Sequence, residues 1–459
     1  MNDQSLPATE DSAAPAAAKR SAAARALGSG AWSMMNFGTG QVLRLASNLI
    51  LTRLLMPDDF GLMALVTSFL IGLTMFSDVG FGTSIMQSKR GDDPDFLDTA
   101  WTLKIMRGVM LFLTAVVIAW PLAQFYDAPL FAYVFPVTAL SLLLGGFFPT
   151  RMDSAARHMQ IGRLTVLELT NQLIGMLITI AAALILQSVW ALVWGNVLGT
   201  IVQLITYHLF LPGHVNRFRL EPEARRELVH FGKWILFSTI CGFMLFQGDR
   251  VILGRVLTME QLGIYNIGQF LATVPAVLGG AIAGRIFVPM YRDHPPGEGA
   301  ANFRFLSRAR SLLTLILLFG ATVLALAGPW IVAFLYDSRY ALAGGILVAI
   351  ACIQLLQVIP ISYDYSALAA GDSRAFFVMQ STRAAIYAVL VLLGVWYAGL
   401  PGLLLGQALS LFVCYPVQVW LARRHKAWDP LHDAVALVYA LAVIALAMWL
   451  HHGIVSAAL

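Results

Sequence analysis

Long apolar runs, separated by short charged or Gly/Pro-containing turns, dominate this chain. A bilayer crossing takes about 20 residues of helix. Thirteen runs reach that length: 28–55, 61–87, 96–121, 128–150, 163–187, 189–211, 232–256, 262–290, 306–328, 341–370, 374–398, 400–422 and 432–452. They are continuous and do not alternate over about ten residues, which excludes an outer-membrane-type β-barrel. The pattern predicts an all-α polytopic membrane protein. Composition agrees: 59% of the 459 residues are hydrophobic and 12% are charged, against about 25% charged in soluble domains.

Charge then sets the expected topology. Of the 30 Lys and Arg residues, 21 fall in the tail and loops on the side of the N-terminus, and only Arg339 falls in an opposite loop. The positive-inside rule places the N-terminus in the cytoplasm. The net charge of +5 is thus a topology signal and not a nucleic-acid one. Trp120, Trp330 and Trp396 fall at outer span ends, and Trp101, Trp234 and Trp420 at inner ends, as interface anchors do. The expected division is a disordered cytoplasmic tail (1–26), a six-span N-lobe (27–211), a cytoplasmic linker (212–231), a six-span C-lobe (232–425) and an extra thirteenth helix (426–459). Glu221–Leu228 in the linker region has the composition of a short amphipathic helix.

The lobes carry an internal repeat. Residues 48–61 lie over 250–263 without gaps, so Ile50, Leu51, Arg53, Leu55 and Gly61 recur as Ile252, Leu253, Arg255, Leu257 and Gly263. Both copies begin on the same side, so the repeat is parallel, about an axis along the membrane normal. Such an axis puts a substrate site near the midplane between the lobes.

Three segments carry a family resemblance: Arg53–Gly61, Phe76–Gln87 and Gly248–Arg255. Over roughly 28–425 the chain resembles the polysaccharide transporters of the MOP superfamily, the Wzx-type flippases. The resemblance implies two six-helix bundles around a cavity open to one side at a time. It implies a bacterial inner-membrane protein that flips undecaprenyl-pyrophosphate-linked oligosaccharide, beside membrane lipids, glycosyltransferases and a polysaccharide polymerase. The thirteenth span departs from the family's even helix count.

Charges inside the spans mark the expected site. Asn36, Gly40, Arg44, Asn48 and Thr52 recur every four residues along one face of span one. An arginine at mid-depth costs about 2.5–3.5 kcal/mol on insertion scales, so it needs water, a carboxylate or an anionic ligand. Arg250, Arg285 and Arg383 are the other expected cavity cations, and arginine binds pyrophosphate through two points at once. Asp78, Glu168, Asp249 and Asp364 are candidates for ion coupling (H⁺ or Na⁺) or for static counter-charge. Asp78 and Asp364 are favoured for depth. Glu168, Asn171, Gln172 and Gly175 share one face of span five. The GxxxG matches at Gly195, Gly280 and Gly402 read as close helix packing.

No catalytic residue, cofactor or metal is expected. P-loop, GxGxxG and HExxH motifs do not occur. Cys241, Cys352 and Cys414 lie in separate runs without a CxxC. Three other functions fit the same pattern, one of them a lipid-precursor flippase for peptidoglycan with the same cavity logic. A drug/cation antiporter of the same superfamily would hold its cation on a carboxylate. A membrane-bound polysaccharide-assembly enzyme would need a large outer loop or acidic face.

Overall fold

The structure is a computed structural model that describes residues 13–459 except Val79. Side chains are described from Trp32 onward, except 33, 34 and 229–238. Residues 1–12 of the expected tail, and the side chains of Lys19, Arg20, Arg25, Lys233 and Trp234, lie outside the described residues.

The first lobe contains α1 (Ala13–Leu54), α2 (Pro57–Met75), α3 (Phe81–Gln87), α4 (Pro94–Phe125), α5 (Phe131–Gly146), α6 (Arg151–Arg157), α7 (Ile161–Leu186) and α8 (Trp190–Phe210). The second contains α9 (Pro222–Val256), α10 (Met259–Ala272), α11 (Val274–Asp293), α12 (Ala300–Leu335), α13 (Ala343–Gln357), α14 (Asp364–Ala369) and α15 (Ser373–Arg424), followed by α16 (Pro430–Ala458). No strand occurs among the described residues.

Each expected span coincides with helix, but several are broken. Span two stops at Met75 and resumes after Gly80, whose φ of 65° suits glycine and few other residues. Span eight is two helices, with Pro275 in the first turn of α11. Spans eleven and twelve form one helical hairpin, α15, reversed at Ala398–Gly399. Its arms touch backbone to backbone: a Cβ on Gly402 would lie 1.8 Å from the Gly394 carbonyl oxygen, and one on Gly406 would lie 2.4 Å from that of Leu390. The Gly402–Gly406 match is therefore packing.

Three expectations change. The tail is helical from Ala13 onward, because its alanine run has the highest intrinsic helix propensity. The linker helix is not separate; Pro222 starts α9, which continues into span seven. The extended stretch before it is held along α4, where the Arg217 and Arg219 amides donate to Asp98 Oδ1 (2.9 Å) and Thr102 Oγ1 (3.0 Å). Trp101 is buried and stacks near Phe147 and Phe218 instead of anchoring an interface.

The lobes pack along α2 and α9, and at the end where α1 finishes α2 also meets α10. Here the repeat becomes visible in three dimensions. A Cβ on Gly61 would sit 1.8 Å from the Met259 carbonyl oxygen, and a Cβ on Gly263 would sit 2.0 Å from that of Pro57. Each glycine faces the other lobe's equivalent residue, so a pseudo-two-fold axis passes between α2 and α10. Arg339 adds a clasp: it donates to the Thr52 carbonyl at 2.9 Å and the Leu55 carbonyl at 3.2 Å, at the C-terminus of α1. Cations suit that end of a helix dipole. Asp337 holds the same guanidinium, and Arg339 in turn keeps the Asp337 carboxyl below its usual range.

α16 packs on α12 and α13 over an unexpected polar core. Arg310, expected in a cytoplasmic segment, is 1% exposed. It donates to Ser362 (3.0 Å), Tyr291 (2.9 Å) and the Ala427 carbonyl (2.8 Å), and its guanidinium lies over the Tyr363 ring. The Tyr363 hydroxyl in turn donates to Asp433 of α16 at 2.8 Å.

Candidate functional site

Four helices of the first lobe and one of the second line a cavity of about 800 Å³. α1 contributes Asn36, Gly40 and Arg44, α7 contributes Glu168, Asn171 and Gln172, and α8 contributes Asn196, Thr200 and Gln203. Arg285 reaches it from α11 of the other lobe. The four-residue spacing on α1 therefore does form a cavity wall, down to Arg44.

Arg44 and Arg285 are both exposed to this cavity, and neither has a hydrogen-bond or ion-pair partner among the described residues. Glu168 is the one carboxylate lining it, and it is engaged by the Asn36 side-chain amide at 2.5 Å. Two unpaired guanidiniums against one hydrogen-bonded carboxylate leave the cavity cationic. The two arginines stand on different lobes, so an anion held by both would bridge them.

The remaining expected residues lie elsewhere. Asn48 is above the cavity, bonded to the Tyr336 hydroxyl at 2.8 Å across the lobe seam. The polar stripe on α1 thus serves two purposes, cavity wall below and lobe contact above. Arg250 lines a small pocket between α2, α9 and α10 and donates to Gln247 (2.8 Å) and Asn266 (3.1 Å). Arg383 is paired with Asp364 at 2.7 Å. Asp78 sits in the turn after α2, where it accepts the Gly80 amide at 2.9 Å, and not inside a helix.

A second cavity, of about 480 Å³, lies wholly within the second lobe. Asp249, Asp364, Arg383 and six glutamines line it. Asp249 is 2% exposed and accepts hydrogen bonds from Tyr265 (2.8 Å) and Gln269, with no cationic partner among the described residues. The acceptor oxygens Gln269 Oε1, Gln354 Oε1 and Asp364 Oδ1 are buried without partners.

The contribution of α8 was missed from sequence. Asn196, Thr200 and Gln203 recur at helical spacing, the same kind of signal that marks α1, but they were overshadowed by the Gly195–Gly199 packing pattern. Among the described residues no group of three His, Cys, Asp or Glu side chains could hold a metal.

The chain matches the family described as polysaccharide biosynthesis protein over residues 50–343, a range that begins in α1 and ends at the start of α13. The succinoglycan biosynthesis transport protein ExoT of Rhizobium meliloti is 24% identical over 320 residues, covering 69% of this chain and 63% of that protein. The teichuronic acid biosynthesis protein TuaB of Bacillus subtilis is 22% identical over 285 residues, covering 61% and 58%. This chain therefore spans less than two-thirds of the length of either relative. Among solved structures, the Lipid II flippase MurJ in an inward closed conformation superposes with a TM-score of 0.68 at 13% identity, over 90% of this chain and 91% of that one. An inward-facing multidrug resistance MATE family transporter of the MOP superfamily gives 0.64 at 13% identity, over 86% and 98%. At such identities the likeness shows the fold alone, which is the fold of these two transporters.

Proposed function

Because this chain belongs to the polysaccharide biosynthesis protein family, we propose that it flips undecaprenyl-pyrophosphate-linked oligosaccharide between leaflets of the bacterial inner membrane. The observation that carries this reading is the pair of unpartnered arginines, Arg44 and Arg285, facing one wide cavity from opposite lobes. A pyrophosphate offers each guanidinium a planar two-point contact. With the N-terminus cytoplasmic, the Gly61–Gly263 seam and the Arg339 clasp close the periplasmic side. This conformation is then the one that receives substrate. Rocking of the lobes about the seam would expose the cavity to the other side.

The second-lobe cavity supports ion coupling, and it shifts the favoured acid to Asp249. Asp364 already has Arg383, and Asp78 ties a turn. Asp249 is buried without a cationic partner among the described residues, and the cavity it lines also holds the unpartnered acceptor oxygens of Gln269, Gln354 and Asp364. Such a group can take up H⁺ or Na⁺ at modest cost and release it when the lobes rearrange.

The drug/cation antiporter reading is disfavoured by the same charge count, since a cation would meet two arginines in the central cavity. Reconstitution into proteoliposomes tests the choice. The account expects transfer of undecaprenyl-pyrophosphate-linked oligosaccharide between leaflets and no transport of ethidium. Ethidium transport without lipid transfer would replace the flippase with the antiporter.

A further inference from the structure

We propose that the α7–α8 wall of the central cavity is a carbohydrate-recognition surface, in which amide side chains read neutral sugar hydroxyls over a bare glycine floor. The inference rests on the flippase reading and divides its cavity into an anionic and an uncharged half.

The first observation is a buried amide whose hydrogen-bonding capacity the fold leaves incompletely used. Asn171 is 6% exposed and lines the cavity, and its Nδ2 has no hydrogen-bond partner. The Thr206 hydroxyl lies 2.8 Å from its Oδ1 and also meets the Val202 carbonyl, which anchors the amide at the cavity edge. A buried donor left unmade is costly unless a ligand satisfies it. Next to it, Asn196 is exposed to the cavity with its side chain unbonded among the described residues. Gln203 uses its Nε2 on Tyr207 (3.0 Å) and keeps its carbonyl oxygen for another donor.

The second observation is independent. Gly175 and Gly199 lie in helix interiors, where glycine is the poorest former after proline. Packing does not require them. A Cβ on Gly199 would meet only the Gly175 Cα, at 3.6 Å, and one on Gly175 only the Gly199 Cα, at 3.9 Å. These are ordinary contacts. Gly195 behaves differently: its Cβ would strike Thr179 Oγ1 at 2.2 Å, so it is a true packing glycine. What Gly175 and Gly199 leave is a close approach of two half-buried helix backbones at the cavity wall, flanked by amides.

Amides carry both donors and acceptors, as do sugar hydroxyls, and an amide can bond two neighbouring hydroxyls at once. No charged side chain other than Glu168 stands on this wall. The guanidiniums of Arg44 and Arg285 lie on α1 and α11, so the pyrophosphate and the sugar would be read by different walls. The chemistry favours an uncharged, hydroxyl-rich oligosaccharide.

The test compares two probes on the purified full chain: undecaprenyl pyrophosphate, and the same lipid carrying a neutral hexose disaccharide. In the wild type the disaccharide should tighten binding. Asn171→Leu and Gly199→Ala should each remove about tenfold of that increment, the scale of one or two hydrogen bonds, and leave the bare lipid's affinity unchanged. Gly199→Ala should also raise the melting temperature by about 1–2 °C, since Ala suits the helix and its methyl has room. A packing role moves stability and binding down together; a ligand role moves them apart. An undiminished sugar increment in both variants, or a melting temperature that falls in Gly199→Ala, overturns the inference. Failure of the wild type to bind either lipid overturns the flippase reading itself.

Discussion

Gly61→Ala should pry the two lobes apart at their shared seam. The added Cβ would begin 1.8 Å from the Met259 carbonyl oxygen and 2.7 Å from its carbon. Ordinary contact starts near 3.4 Å, so the backbones must separate by about 1.5 Å. The atoms in the way are main chain, and no rotamer change relieves them. Overpacking of this kind costs about 1–3 kcal/mol when a core must absorb it. Here the two lobes can rock, so the strain should bias the conformational equilibrium, by roughly 5–150-fold for that energy. Gly263→Ala, at 2.0 Å from the Pro57 oxygen, should act alike. Spin labels at Tyr133 and Leu342, both exposed and on different lobes, would report the separation after Cys241, Cys352 and Cys414 are replaced. The wild type should show a single distance population, and both variants should add a longer one with slower polysaccharide export. Gly453→Ala, whose methyl meets nothing within 4 Å, is the control and should change neither. A Gly61→Ala protein with the wild-type distance distribution and normal export would refute the seam and the pseudo-two-fold axis drawn through it.

Arg310→Met should lower stability by about 3 kcal/mol, because it strands the buried Asp433 network that holds α16; Asp433→Asn should recover part of the loss, and unchanged thermal unfolding in detergent would contradict the network's role. Asp249→Asn should keep its melting temperature and lipid binding while flipping loses its dependence on a pH or Na⁺ gradient. Asp364→Asn should instead lower stability, by less than the ~3–5 kcal/mol of a fully buried pair, since both partners are partly exposed. If Asp249→Asn still responds fully to the gradient, the coupling site is elsewhere.

The helical class, the lobes, the repeat and the stripe on α1 were all readable from periodicity, because each is a one-dimensional pattern imposed by a face or a span. The repeat glycines are the clearest case, since an offset in the sequence became a symmetric backbone contact. What sequence did not reveal were partners. Asn48 fits the cavity stripe by spacing, yet its partner Tyr336 lies 288 residues away. Arg383 and Asp364 were named separately, as cavity cation and coupling acid, and they are one ion pair. Arg310 reads from sequence as one charge in the basic run with Arg304 and Arg308, while its burial depends on Ser362, Tyr363 and Ala427 arriving from later segments. Asp78 was favoured for depth, and a break at the end of α2 removed it from any span. Helix breaks and long-range hydrogen bonds leave little trace in hydropathy.

The most direct test of the account is the rate at which the purified protein moves undecaprenyl-pyrophosphate-linked oligosaccharide between leaflets of a proteoliposome, compared for wild type, Arg44→Ala, Arg285→Ala and Arg44→Lys. Each arginine should supply charge-assisted hydrogen bonds of about 1.5–3 kcal/mol, so each alanine variant should slow flipping by roughly 10–100-fold at limiting substrate. Arg44→Lys should restore only part of the rate, because an ammonium keeps the charge and loses the two-point contact. Wild-type flipping in both alanine variants, with protein folded and inserted, would contradict the claim that this cavity holds its substrate by pyrophosphate.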